Sequence, residues 1–502
     1  MRRITYTTGS TDTGRRSHSS HLRSSQAQTN TRSTSFKASD GGNDDRGDHV
    51  QPFHSREAAR VVLDSGNYQS RPEPEPRYRW EPIPSASPAA AIWNEHLDST
   101  MRYLTGKGIK WTALHLGLLN QKVTIAVLYE DSGPWDRELV ERELRHFYFP
   151  HQIFTEIVFS QARVKKGAAL GASEYSDRQS CGASVGVRGV SWSAGTVGGY
   201  FESETGELYG LTCHHVLLPT KTRPNSKNDR FGFSVTKGYP EYLDTVGLHH
   251  SAFKPEDGAI EVVQPPCVDH FDTLLELQAL IKNAEEGLRT LKAKYEVLGI
   301  PVPKNKAESW QATIKDSSRK LAATQLYNRT FGTVISSSGY KVDLETKGSI
   351  DWGLFEISRS RSVWNMIPGV DAEKRRGSWD GLSRSRITFN DIADPMENES
   401  VFKIGRKTGP TFGIINGVRD GVNLKENLGE TKEWCVVGTN GTDFSAAGDS
   451  GSLVFNQKFQ VIGVVTAGCD FMGGLAYMTP IKLVLHDILK TTGIKIKFWD
   501  NL

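Results

Sequence analysis

Cysteine is scarce and scattered: the 502-residue chain has five, at positions 181, 213, 267, 435 and 469. An odd, widely spaced set of this kind supplies neither a secreted disulfide scaffold nor a CxxC-type zinc site. No apolar run approaches the roughly 18 residues that a membrane-spanning helix needs. An excess of one charge is also missing, with 61 basic against 58 acidic side chains and a net charge of +3. There is accordingly no whole-protein field to draw in nucleic acid or a charged membrane. The amino terminus lacks the continuous apolar stretch of a signal peptide, so intracellular, cytoplasmic residence is expected. Hydrophobic residues make up only 37% of the chain. That is low for a fully globular protein and points to a disordered portion.

Composition divides the chain. Residues 1–88 read as a disordered tail and linker. The first 38 residues are rich in Ser, Thr and Arg and hold one acid, Asp12. They lack the amphipathic apolar face of a mitochondrial transit peptide. Residues 71–88, RPEPEPRYRWEPIPSASP, favour polyproline II. Residues 89–162 read as a small α+β domain. A helix is expected over 91–104 and strands over 111–119 and 122–129, with LNQK turning between them. A second helix is expected in PWDRELVERELRHFYF and a third strand over 152–160. Residues 163–180 are polar and glycine-rich, the composition of a linker. From 181 to 492 short strands recur at intervals of about 8–12 residues, as in an all-β barrel or sandwich. Residues 493–502 form a C-terminal tail.

One block, about 268–327, interrupts this β region. Leu274, Leu277, Ile281, Ala284, Leu288, Leu291, Tyr295 and Leu298 alternate at spacings of three and four. That is a heptad seam. IPVP stops it at 300–303, and Trp310, Ile314, Ser317, Leu321 and Thr324 resume the rhythm. A helical hairpin inserted into a barrel loop accounts for the block. It serves either self-packing or docking and self-association.

Three segments carry chemistry: YGLTCHHVLLP (209–219), SIDWGLFEI (349–357) and AAGDSGSLVF (446–455). A serine becomes a nucleophile when an imidazole takes its proton, and the imidazole needs a carboxylate to hold its tautomer. The tetrahedral intermediate needs backbone N–H donors, and glycine beside the serine lets amides converge. GDSGS resembles the nucleophile loop of the chymotrypsin/trypsin-like serine peptidases (the PA clan). LTCHHV resembles their histidine motif and DWGLFEI their aspartate motif, in the order His, Asp, Ser. The pattern is also similar to that of uncharacterised filamentous-fungal proteins with a helical insertion.

The resemblance implies a mainly β, chymotrypsin-like double β-barrel and a serine endopeptidase acting on protein or peptide substrates. Ser450 would attack, His215 would take the proton, and Asp351 would orient His215. The amides of Gly448 and Ser450 would form the oxyanion hole, with no metal or cofactor. Ser452 stands where the family has a second glycine after GDS. The acid has a rival: Asp351 lies 136 residues after His215, whereas Asp257, in EDGAIEVV, lies 42 after it, and the family's spacing is about 45. The helical insertion explains the longer gap. Phe444, Thr466, Ala467 and Gly468 match positions lining the substrate cleft, which suggests a small or apolar side chain.

Plainer readings stand beside these. His214 and His215, adjacent in sequence, cannot readily chelate one metal from a strand. Cys213 reads as a small buried hydrophobe, and Asp449 as a structural hydrogen-bonding group. A catalytically silent scaffold or sensor, binding protein partners through the hairpin and the amino-terminal domain, is the alternative function. Nucleic-acid binding through the basic tail has only residues 1–38 behind it.

Overall fold

The computed structural model describes residues 79–500, apart from 131–134, 150–152, 155, 162–174, 191, 221–238, 250–258, 369–378, 380–385, 424–428 and 470–473. The tail 1–78, most of the 163–180 linker and Asp257 lie outside the described residues.

The first segment holds β1 (Trp80–Glu81), α1 (Pro88–Gly106), β2 (Trp111–Leu119), β3 (Lys122–Tyr129), α2 (Arg137–Tyr148) and β4 (Glu156–Gln161). Local chemistry sets these bounds. The Ser87 side chain caps α1 by accepting from Ala90 N–H, and Pro88 opens the helix with its φ already set. Asp136 caps α2 by accepting from Leu139 N–H. Asn120 and Gln121 both have positive φ, the two-residue turn whose twist matches a β-hairpin. The helix α2 carries the chain from β3 to β4, which pair in parallel.

The central β region begins with β5 (Ser184–Val187), β6 (Gly195–Thr196), β7 (Gly199–Ser203) and β8 (Leu208–Thr212). The single turn α3 (His214–Leu217), the short α4 (Tyr242–Val246) and β9 (Glu261–Val263) follow. The hairpin helices α5 (Cys267–Val297) and α6 (Lys304–Leu326) come next, then β10 (Thr330–Ser337) and β11 (Gly353–Ile357). The hairpin therefore joins β9 to β10, which are themselves paired. Its seam is tight where residues are small: Ala284 and Ser317 are buried, and a Cβ on Gly287 would meet the Trp310 ring at 3.0 Å.

The last region holds β12 (Ser400–Gly405), β13 (Gly409–Asn423), β14 (Glu430–Gly438), β15 (Leu453–Asn456), β16 (Val461–Cys469) and β17 (Leu475–Pro480). It ends with α7 (Ile481–Thr492) and β18 (Ile496–Phe498). The strand order is β12-β15-β16-β17-β14-β13, and β13 pairs back onto β12. This sheet is a closed six-stranded barrel. The other sheet runs β18-β7-β8-β11-β10-β9-β5-β6 and stays open among the described residues. β18 comes from the C-terminal tail and pairs with β7. Together the two sheets make a chymotrypsin-like double β-barrel.

The amino-terminal sheet is not self-contained. β2 pairs with the far half of β13, Leu114 opposite Gly421 and Ala113 opposite Val422. The ladder of β13 with β14 shifts register between Ile415 and Arg419. Such a shift lets one long strand serve two surfaces. Trp93 Nε1 donates to Arg419 O at 2.9 Å, and Asn416 Nδ2 donates to Leu116 O at 2.9 Å. One hydrophobic cluster contains Trp80, Ala113 and Leu128 from the first segment with Cys435, Ala467 and Tyr477 from the barrel.

Candidate active site

Strand pairing brings the histidine and aspartate segments together. β11 lies antiparallel to β8 with Gly353 opposite Thr212. The chain running past Thr212 and the chain arriving at Gly353 therefore meet at one end of the sheet. There His215 Nδ1 lies 2.7 Å from Asp351 Oδ2, and His215 N–H donates to Asp351 Oδ1 at 3.3 Å. Gly353 permits the approach, since a Cβ there would stand 2.8 Å from Leu217 Cδ1. Asp351 is buried, the His215 side chain is 10% exposed, and His215 Nε2 is buried without a hydrogen-bond partner among the described residues.

Ser450 comes from the turn before β15. Gly448 (φ 110°) and Gly451 (φ 94°) flank it with left-handed backbone, which favours glycine. A Cβ on Gly451 would sit 2.2 Å from Thr196 O and 2.4 Å from Thr212 Oγ1. The Ser450 turn thus presses on the end of the strand that leads to His215. Val465 O marks the seam: it accepts from Gly451 N–H at 2.8 Å and from Cys213 Sγ at 3.4 Å. The ligand atoms of Cys213, His215 and Asp351 lie within 4.8 Å of one another. Neither the N–H groups of Gly448 and Ser450 nor the Ser450 hydroxyl hydrogen-bonds within the described residues.

Asp449 is fixed from many sides. Its Oδ1 accepts from Lys407 N–H (2.8 Å) and Thr408 N–H (3.2 Å). Its Oδ2 accepts from Thr408 Oγ1 (2.7 Å) and Ala446 N–H (3.0 Å), and lies 3.0 Å from Lys403 Nζ. Burial alone would raise this carboxyl's pKa, but the Lys403 charge and these hydrogen bonds hold it below the usual range. Burial lowers the Lys403 pKa against the pull of Asp449. A lysine inside the apolar run VFKIG is the sequence signal for this buried pair.

His214 faces away from its neighbour. Its Nδ1 meets Ser337 Oγ at 2.9 Å and its Nε2 meets Asp244 Oδ1 at 3.2 Å. Thr220 Oγ1 donates to the other oxygen of Asp244 at 2.6 Å. The Tyr340 ring packs edge-on against His214. Burial first, and then the charges of Asp351 and Asp244, push the Tyr340 phenol well above its ordinary pKa.

A small cavity opens beside Ser450, lined by Ser445, Ala446, Ala447, Val465, Ala467 and Gly468. Two of the four expected cleft residues, Ala467 and Gly468, are in this wall. The other two are not. Phe444 is fully buried in the barrel core, and Thr466 turns its hydroxyl to Tyr477 O at 3.4 Å. The chain bends at Phe444, and the wall takes the next residue, Ser445.

Among the described residues two groups have the composition of metal ligands: Cys213, His215 and Asp351, and, deep in the core, His115, Asp420 and Cys435. Their His Nδ1-to-carboxylate distances are 2.7 and 2.8 Å. Ligand atoms around tetrahedral zinc stand about 3.3 Å apart, so both spacings are those of hydrogen bonds.

No protein-family profile matches the chain, and no curated protein matches it. Solved structures give weak likenesses. Thermobifida fusca protease A is 12% identical with a TM-score of 0.31, over 64% of this chain and 100% of that one. The Nocardiopsis protease is 11% identical with a TM-score of 0.29, over 64% and 99%. Cellulomonas bogoriensis chymotrypsin is 16% identical with a TM-score of 0.23, over 34% and 81%. With scores this low, the double-barrel architecture stands on the strand pairings described above. Among the described residues no helix is long and apolar enough to cross a membrane.

Proposed function

We propose that this protein is a serine endopeptidase with Ser450 as nucleophile, His215 as general base and Asp351 as its orienting acid. The observation that carries this reading is the 2.7 Å contact of His215 Nδ1 with Asp351, which leaves Nε2 unpartnered. Ser450 Oγ attacks the peptide carbonyl while His215 Nε2 takes its proton. Asp351 holds the Nδ1 proton and stabilises the imidazolium. Charge developing on the carbonyl oxygen is met by the N–H groups of Gly448 and Ser450, which have no acceptor to give up among the described residues. The imidazolium then protonates the leaving amine as the C–N bond breaks. Water, deprotonated by His215, hydrolyses the ester on Ser450.

The cavity wall deepens the reading. Its lining side chains are small and uncharged, which suits a small neutral residue on the acyl side of the scissile bond. Digestion of a denatured protein mixture, followed by sequencing of the new ends, tests this. Cleavage after Ala, Gly or Ser, absent with Ser450→Ala, is expected. Cleavage after Lys, Arg or Phe would overturn the specificity, and no cleavage by an enzyme whose Ser450 is reactive would point to a narrower substrate.

A silent scaffold is the second reading. It is favoured by one observation: Ser450 Oγ and His215 Nε2 share no hydrogen bond. Catalytic hydrogen bonds often close only around substrate, so serine reactivity, rather than resting geometry, separates the two readings.

A further inference from the structure

Asp269, in the first turn of α5, forms a two-pronged ion pair with Arg406: Nε to Oδ2 at 2.7 Å, and Nη2 to Oδ1. Both side chains are fully buried. Arg406 lies in the turn between β12 and β13, next to Lys407 and Thr408, whose N–H groups hold Asp449. Its own N–H donates to Thr196 Oγ1 at 3.0 Å. Thr196 passes the contact on. Its hydroxyl donates to Gly448 O at 3.0 Å, and its N–H donates to Ser450 O at 2.8 Å. Its carbonyl accepts from Thr212 Oγ1 at 2.8 Å, at the end of the strand that carries the histidine. Thr196 therefore grips the two carbonyls on either side of Asp449 and ties them to the histidine strand.

We infer that the root of the helical hairpin is a positioning element for the nucleophile turn, acting through Asp269, Arg406 and Thr196. A buried ion pair adds little stability over an apolar pair of the same volume. What this pair supplies is the register of the 405–408 turn, from which Asp449 and Thr196 are both held. Each fixed carbonyl sets the peptide plane it shares with the next residue's N–H, so the Ser450 N–H lies between two set planes and the Gly448 N–H beside one, and both lose freedom to turn away from a common point. Donors aimed in advance are what lower the barrier at an oxyanion. Thr196 and Arg406 are thus positioning residues that touch neither substrate nor the reacting atoms. The inference rests on the peptidase reading for its kinetic consequence but not for its structural one.

The test uses the full chain, a fluorophosphonate probe and amide hydrogen exchange. Thr196→Val keeps the shape and deletes the hydroxyl. It should lower the inactivation rate constant roughly 10-fold or more while leaving the probe's reversible affinity unchanged, and Thr196→Ser should restore it. Asp269→Asn should act in the same direction, and the double variant should fall no further than Thr196→Val alone. Both single variants should speed exchange across 446–452. Should Asp269→Asn fail to fold, the apolar pair Asp269→Leu/Arg406→Met should melt like the wild type and still show faster exchange there. Wild-type reactivity in Thr196→Val, or effects that multiply in the double variant, would overturn the inference. If the wild type itself fails to react, the peptidase reading falls. The exchange data then decide: unchanged protection at 446–452 in the variants contradicts the inference, and faster exchange supports it.

Discussion

Two of the described histidine–aspartate pairs, the two made through the histidine Nδ1, stand in different surroundings in this molecule. His215 and Asp351 meet at the barrel seam beside the Ser450 turn. His115 and Asp420 meet in the shared core of the amino-terminal strands and the closed barrel, with Nδ1 2.8 Å from Oδ2. The contacts are almost the same length, and in both the histidine Nε2 is buried without a partner among the described residues. The His215 side chain is 10% exposed and the His115 side chain 0%. The Trp80 ring stands edge-on to His115, and a Cβ on Gly117 would lie 2.6 Å from its Nε2. The Tyr477 hydroxyl donates to Asp420 at 3.2 Å, and Cys435 Sγ lies 3.9 Å from the ring. Burial first, and then the Asp420 charge, push the Cys435 and Tyr477 pKa values well up, so both stay protonated. A histidine held by an aspartate is therefore not a catalytic signature by itself. What distinguishes the first pair is the Ser450 turn beside it, where the Gly448 and Ser450 N–H groups have no acceptor among the described residues.

The largest expected difference between the pairs is in stability. His115→Ala leaves the Asp420 carboxylate sealed in the core without its partner, which should cost about 3–5 kcal/mol. His215→Ala opens Asp351 to water at the cleft and should cost less than half as much. Calorimetry of the two variants checks this, and equal losses would break the comparison.

A smaller effect involves His270, which has no carboxylate partner among the described residues. His270 Nδ1 meets Tyr175 Oη at 2.9 Å. Burial, and then the positive charge of Arg329, lower its pKa to about 4. The unfolded chain takes this proton at about pH 6.5 and the folded chain only at about 4. Unfolding therefore binds a proton between those values, and stability falls as pH is lowered across that window. Melting temperatures of the wild type and His270→Gln, measured from pH 7 to 4, should diverge on this account. Parallel curves would contradict it.

Much of the fold is legible in sequence because it is encoded locally. The alternation and turn over 111–129, the capped helix that starts at Arg137 and the heptad seam of the hairpin all depend on near neighbours. The three peptidase-like segments could be read for the same reason, and the structure brings His215 to Asp351 across the expected gap. The illegible parts are contacts between distant segments that carry no pattern. Nothing in WTALHLGLL says that it will pair with residues near Gly421, and nothing around His115 announces Asp420. Asp269 and Arg406 are likewise unremarkable in sequence. The cavity wall holds Ser445 rather than Phe444, because the chain bends there and Phe444 packs into the barrel core, which distance from the serine does not reveal.

The central claim is that only the cleft pair activates a serine. Fluorophosphonate labelling of the wild type, Ser450→Ala, His215→Ala and His115→Ala, normalised to folded protein, tests it most directly. The account predicts labelling of the wild type at Ser450, no labelling of Ser450→Ala, and a loss on the order of 10⁴-fold or more in His215→Ala. The folded fraction of His115→Ala should react at a rate close to that of the wild type. A folded wild type that does not react, or a His215→Ala variant that reacts normally, would contradict it.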